Sequence, residues 1–212
     1  MSPSHYFDAA PTARSRPQEV ELRLGDFDAR LAVDRGVFSA GGVDPGTVEL
    51  LRAVPPPPAA GDLLDLGCGY GPIACTLAHR SPGATVWAVD VNTRAVELCA
   101  ANAAALGLTG VKAVGPDVVP EGVRFAGIWS NPPIRIGKGP LQELLDRWLG
   151  RLDPAGVAWL VVHRHLGADS LAARFAGRDW SVTRYASKRG YRVLQLRHPW
   201  AEPGRAPNGA AR

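Results

Sequence analysis

From Asp62 onward the chain alternates short apolar runs with longer segments of helical period, and this alternation limits the fold more than any other feature. Leu63–Leu66, Thr85–Val89, Val111–Val114, Phe125–Ser130 and Val157–His163 read as strands. Gly71–Arg80, Thr93–Leu106, Leu141–Leu152 and Ser170–Phe175 read as helices between or after them. Helices of this length between strands act as crossover connections, which demand a mostly parallel sheet covered on both faces. Trp180–Tyr185 and Tyr191–Leu196, separated by Ser187-Lys188-Arg189-Gly190, predict a closing antiparallel hairpin. The expected fold class is therefore α/β, with a seven-stranded sheet.

The segments before and after this core are different in character. Residues 1–19 are expected to be a loose tail: Met1–Pro17 is polar, holds three prolines and shows no periodicity. Residues 20–58 form an expected strand and helix extension. Val20–Leu24 alternates as a half-buried strand does, and the run Leu31–Phe38 ends in Gly36-Val37-Phe38-Ser39. Asp44 is a good N-cap and Pro45 suits the first turn of a helix reaching about Ala53. Pro55–Pro58 stops that helix, because proline lacks the N–H and clashes with the preceding turn. Residues 59–197 form the expected main domain, and the Pro/Gly/Ala-rich 198–212 a frayed tail.

Length and composition exclude several classes. A chain of 212 residues, 46% hydrophobic and 21% charged, suits one domain with an ordinary core. No apolar run is long enough to span a membrane, and Met1–Pro17 lacks the basic start and apolar stretch of an export signal. Cys68, Cys75 and Cys99 are odd in number and form no C-x-x-C pair, so neither a disulfide framework nor a structural metal site is expected. His163 and His165 lack partners at ligand spacing. A reducing cytoplasm is the expected setting. Charge is divided unevenly: residues 1–133 hold 10 basic against 14 acidic side chains, residues 134–197 hold 12 against 5. A basic C-terminal half suggests one face meant for a polyanion, the alternative being an Arg-rich composition that reflects codon bias alone.

Three motifs carry the chemistry. In Asp65-Leu66-Gly67-Cys68-Gly69-Tyr70-Gly71, glycines between a strand and a helix let the backbone turn sharply against a ligand. The G-x-G-x-G spacing differs from the G-x-G-x-x-G of dinucleotide binders, which disfavours a nicotinamide dehydrogenase. Asp90 ends the next strand, 25 residues after Asp65, where an acid accepts from both ribose hydroxyls of a nucleoside; it also suits an N-cap for the helix beginning near Thr93. In Ser130-Asn131-Pro132-Pro133-Ile134 two prolines fix the backbone, so that the Asn131 amide oxygen and the Pro132 carbonyl can accept from one exocyclic amine.

In this order, the motifs resemble class I S-adenosylmethionine-dependent methyltransferases, a Rossmann-like fold. Gly36–Ser39, Asp65–Pro72, Val89–Asn92, Asn131–Ile134 and Lys188–Tyr191 narrow the resemblance to the RsmC family, which methylates guanine N2 in 16S ribosomal RNA. It covers roughly Val20 to Arg197. The resemblance implies S-adenosylmethionine as cofactor, with Asp65, Gly67, Cys68, Gly69 and Gly71 around its methionine end. Asp90 and Val91 would meet the ribose, Asp117 the adenine amino group, and Phe38 and Ser39 would form a pocket wall. Asn131, Pro132, Pro133 and Ile134 would meet the acceptor, Asn131 lying closest to the methyl. Ile134 stands where many relatives have an aromatic, so stacking on a flipped base must come from elsewhere.

Arg135, Lys138, Lys188, Arg189 and Arg192 are candidate contacts to RNA phosphates, each equally at home as a solvated side chain. The implied partner is ribosomal RNA or the small ribosomal subunit, for a monomer or a homodimer. Longer family members carry a second, N-terminal methyltransferase-like domain. Two other readings remain open: methylation of adenine N6 or a protein glutamine by the same corner, and a non-catalytic RNA-binding module.

Overall fold

A computed structural model describes residues 16–37, 42–178 and 180–199. A hairpin of β1 (Gln18–Arg23) and β2 (Asp28–Val33) forms a separate two-stranded sheet, followed by α1 (Pro45–Ala53). The main sheet holds β3 (Ala60–Leu66), β4 (Gly83–Val89), β5 (Val111–Val114), β6 (Phe125–Ser130), β7 (Leu152–His163), β8 (Ser181–Lys188) and β9 (Tyr191–Arg197). Its helices are α2 (Pro72–Arg80), α3 (Thr93–Ala105), α4 (Lys138–Leu149) and α5 (Ala168–Ala176).

The seven strands lie in the order β5-β4-β3-β6-β7-β9-β8. The first five are parallel, and β9 runs antiparallel between β7 and β8. The expected α/β class, the seven strands and the closing hairpin all stand. The chain winds outward through β3, β4 and β5, then returns to place β6 beside β3. This reversal opens a crevice at the carboxyl ends of β3 and β6, where ligands of open α/β sheets bind.

Alternation along the strands divides the core between the two faces. Leu64, Leu66 and Ile128 pack with Leu145, Trp148 and Leu149 of α4 and Phe175 of α5. Leu63, Trp129 and Trp159 pack instead with Leu50 and Leu51 of α1 and Ile73 and Leu77 of α2. Helices thus cover both faces, which is why β4 and β6 are nearly continuous apolar runs.

Several boundaries differ from the sequence expectation. Of the run Leu31–Phe38, Leu31–Val33 form the end of β2 and Asp34–Val37 a turn, because β2 pairs with β1 and buries Leu31 and Val33 under α3. Strand β7 begins five residues before Val157, and α4 begins three before Leu141. Ser187 and Lys188 pair within β8, so the turn reduces to Arg189-Gly190. Both residues take positive φ, 51° and 83°, the backbone of a type I′ hairpin. Phe38 and Ser39 lie outside the described residues. Among those described, no helix is long and apolar enough to cross a membrane.

Candidate active site

The glycine loop is built by the ends of two strands. The Gly67 and Cys68 N–H groups both donate to the Val89 carbonyl, at 2.8 and 3.1 Å, tying the loop across the end of β4. At Gly71, φ is +92° and an added Cβ would stand 2.6 Å from the Cys99 sulfur, so neither conformation nor space admits a side chain. Asp90 is 6% exposed and braces the loop: Oδ2 accepts from the Gly69 N–H at 3.0 Å and Oδ1 from the Asn92 N–H at 2.9 Å. The cap of α3 is Asn92, whose side chain accepts from the Arg94 and Ala95 N–H groups. Asp90 is therefore not the cap. Each of its oxygens keeps acceptor capacity, and burial pushes its pKa up.

Asp65 is fully buried. Its Oδ2 accepts from the Ala74 N–H at 2.9 Å, in the first turn of α2, and its Oδ1 has no hydrogen-bond partner. Burial pushes its pKa up to about 8; the Ala74 bond opposes the shift and the Asp90 charge adds to it. The Cys68 thiol is also buried, and its pKa rises through its hydrogen bond with Cys99 and desolvation. That environment makes a packed filler rather than a nucleophile.

The Asn-Pro-Pro corner follows β6. The Ser130 hydroxyl donates to the Leu66 carbonyl at 2.7 Å, fixing the corner against β3. Asn131 Nδ2 donates to Asp44 Oδ1 at 2.8 Å and to Thr47 Oγ1 at 3.1 Å. A carboxylate accepts and does not donate, so the amide nitrogen must face Asp44 and the amide oxygen must face away. Pro132 already accepts from the Ile134 N–H at 2.8 Å, which leaves its carbonyl one lone pair.

Two cavities meet at this corner. The first, about 310 Å³, is walled by Leu66, Gly67, Val89, Asp90 and Val91, by Pro116 after β5, and by Ile136, Leu144 and Trp148 on the far side. The second, about 450 Å³, is walled by Asp44, Ile134, Arg135, His163, Leu166 and Tyr191. Asn131 and Pro133 line both. His163 and Tyr191 meet edge to face with ring centroids 4.9 Å apart, so the second cavity has an aromatic wall.

The structure brings together Gly67, Asp90, Val91, Asn131 and Pro133 at the first cavity, and Asn131, Pro132, Pro133, Ile134 and Arg135 at the second. Asp65, near the end of strand β3 before the loop, and Cys68, Gly69 and Gly71, within the loop, line neither. Asp117 is not brought to the site: its side chain is 89% exposed and pairs with Arg147 at 3.2 Å, while its neighbour Pro116 lines the cavity. Three of the candidate phosphate contacts already have acidic partners. Lys188 and Arg189 lie 3.7 and 3.6 Å from Glu49, and Arg192 lies 3.1 Å from Asp169. Lys138 opens α4. Among the described residues, no group of three or more His, Cys, Asp or Glu side chains could hold a metal ion.

Sequence reasoning missed Asp44, Thr47, Tyr191 and Trp148 as site residues. Asp44 does cap α1, accepting from the Thr47 N–H at 3.1 Å, and that local role hid its contact with a residue 87 positions away. Trp148 is fully buried at the base of the first cavity, and its helical spacing signalled only core.

Strand order, the glycine loop with an acid on the next strand, and the Asn-Pro-Pro corner define a Rossmann-like methyltransferase. The chain belongs to the methyltransferase small domain family, whose model matches residues 28–195. It is 35% identical over 196 residues to the uncharacterized protein YbxB of Bacillus subtilis, covering 91% of this chain and 98% of that one. It is 33% identical over 195 residues to ribosomal RNA small subunit methyltransferase C of Pseudomonas aeruginosa strain LESB58, covering 89% of this chain and 57% of that one. Among solved structures, the T. thermophilus 16S rRNA N2 G1207 methyltransferase (RsmC), in complex with AdoMet and guanosine, matches with a TM-score of 0.74 and 28% identity. That match covers 89% of this chain and 52% of that one. The chain thus spans about half the length of these RsmC relatives and nearly all of YbxB.

Proposed function

We propose that the protein transfers a methyl group from S-adenosylmethionine to the exocyclic N2 amine of a guanine in small-subunit ribosomal RNA. The observation that carries this reading is the corner shared by the two cavities: Asn131 and Pro133 form a partition with room for a donor on one side and a planar acceptor on the other. The first cavity suits the cofactor. Asp90 keeps acceptor capacity for ribose hydroxyls, and Val91, 44% exposed, offers an apolar surface beside it. The second suits an extruded base, with Tyr191 and His163 as the aromatic surface that Ile134 does not provide. In this reading residues 59–197 form the cofactor-binding domain, and 20–58 contribute Asp44 and Thr47 to the acceptor side.

Bound S-adenosylmethionine supplies an electrophilic methyl on a sulfonium. Asn131 Oδ1 and the remaining lone pair of the Pro132 carbonyl accept from the two hydrogens of the amine, which aims the nitrogen lone pair through the partition. Positioning therefore does most of the work. The same two acceptors stabilise the positive charge that develops on nitrogen, and the proton then leaves to water. Arg135, on the wall of the second cavity, contacts the phosphate beside the extruded nucleotide.

The test is incubation with methyl-labelled cofactor and, separately, naked RNA, 30S subunits and total protein, followed by nucleoside digestion. Label in N2-methylguanosine is the expected result. Label in N6-methyladenosine or in protein would replace guanine with the corresponding acceptor. No cofactor binding by calorimetry would leave an RNA-binding module.

A further inference from the structure

The second cavity holds one acceptor that the chemistry above leaves unused. Asp44 lines that cavity with Asn131 and Pro132. Its Oδ1 is occupied by the Thr47 N–H and by Asn131 Nδ2, at 3.1 and 2.8 Å. Its Oδ2 makes no hydrogen bond or ion pair among the described residues. The carboxylate and the Asn131 amide are thus coupled side by side, with the amide oxygen turned away from the carboxylate. The Tyr191 phenol, on the same wall, has its pKa raised by burial and then by the Asp44 charge, which places that charge close to the base-sized space.

The Watson–Crick edge of guanine carries the N1–H directly beside the 2-amine, a row of donors, whereas adenine sets its 6-amine beside an N1 lone pair. A row of acceptors made by Asp44, Asn131 and Pro132 complements the first edge and repels the second. We propose that Asp44 is the specificity-determining residue of the acceptor site, its Oδ2 accepting the guanine N1–H while its Oδ1 holds the Asn131 amide in register for the 2-amine. This rests on the proposed transfer to guanine N2 and goes beyond it, because it assigns the discrimination between bases to one side chain. Adenine bound here would set its N1 lone pair against a carboxylate, leaving both groups unsatisfied.

The experiment titrates the full chain, saturated with S-adenosylhomocysteine, with guanosine and with 2-aminopurine riboside, which keeps the 2-amine but has a lone pair at N1. The wild-type protein is expected to bind guanosine at least about tenfold more tightly. In Asp44→Asn the amide oxygen keeps the Thr47 and Asn131 bonds, and the amide nitrogen replaces Oδ2. The preference is then expected to reverse toward 2-aminopurine riboside, which a merely structural role would not produce. Asp44→Ser retains a helix cap but is too short to reach the base, so it is expected to bind both nucleosides equally. Equal binding by the wild-type protein, or an Asp44→Asn variant weakened equally for both, would overturn the role of Asp44 while leaving N2 transfer standing. Failure of wild-type protein to bind guanosine, together with no label in N2-methylguanosine, would overturn the proposed function itself.

Discussion

Replacing Asp65 by asparagine tests whether the buried carboxyl at the end of β3 holds a proton in the folded protein. Asp65 is fully buried with a pKa near 8, against an ordinary value of 3.8. Between these values the folded protein holds a proton that the unfolded chain has released. Stability is therefore complete below roughly pH 4 and declines toward roughly pH 8, by about 1.4 kcal/mol per pH unit. At pH 7 the accumulated loss is about 4 kcal/mol, an upper figure because a partner reaching Oδ1 would reduce it. In Asp65→Asn the amide oxygen keeps the bond from the Ala74 N–H, and no ionisation remains to drive the decline. The variant carries its own offset, since its amide nitrogen replaces an oxygen that has no partner. The informative quantity is thus the difference in unfolding free energy between variant and wild type across pH. Urea denaturation from about pH 5 to pH 7.5 is expected to show that difference moving in favour of the variant by up to about 1.4 kcal/mol per unit. Parallel curves would show that Asp65 does not hold a proton in the folded state, and would refute the account of its burial.

Other perturbations test other parts of the site. Asn131→Ala removes one of two acceptors for the amine while leaving the glycine loop and Asp90 intact; turnover is expected to fall by about a hundredfold or more, with cofactor affinity by calorimetry unchanged within about tenfold. Gly71→Ala meets the Cys99 sulfur at 2.6 Å with φ at +92°, so thermal or urea unfolding is expected to show a loss of about 2–5 kcal/mol. Arg135→Ala is expected to lower the slope of log affinity for RNA against log salt by about one, as loss of a single phosphate contact does. Arg192→Ala, already paired with Asp169, should leave that slope unchanged.

Much of the architecture was legible because its signals are local. Strands β4 and β6 are apolar on both faces, α1 starts at a capping aspartate, and Pro55–Pro58 interrupts the chain where α1 stops. The glycine loop, Asp90 and the Asn-Pro-Pro corner could be placed on strand ends from spacing alone. What escaped depends on distant partners. Only the first strand of the β1–β2 hairpin is legible in the sequence, because β2 mixes charged and apolar residues and its burial is set by α3 rather than by its own pattern. Asp44 displayed a complete local explanation as a helix cap, so nothing in the sequence indicated its second bond to Asn131. Asp117 follows the third strand of the main sheet as an adenine-binding acid would, yet the turn in which Val118 bonds back to Gly115 leaves the aspartate in solvent and Pro116 at the cavity. For Lys188, Arg189 and Arg192, a basic sequence could not reveal that Glu49 and Asp169 already stand beside them.

The most direct measurement is a crystal structure of the protein with S-adenosylhomocysteine and guanosine bound together. The thioether is expected in the cavity beside Gly67 and Asp90, and the guanine across the partition with its 2-amine within hydrogen-bond distance of both Asn131 Oδ1 and the Pro132 carbonyl. A guanine seated elsewhere, or one whose 2-amine points away from those two oxygens, would contradict the proposed transfer.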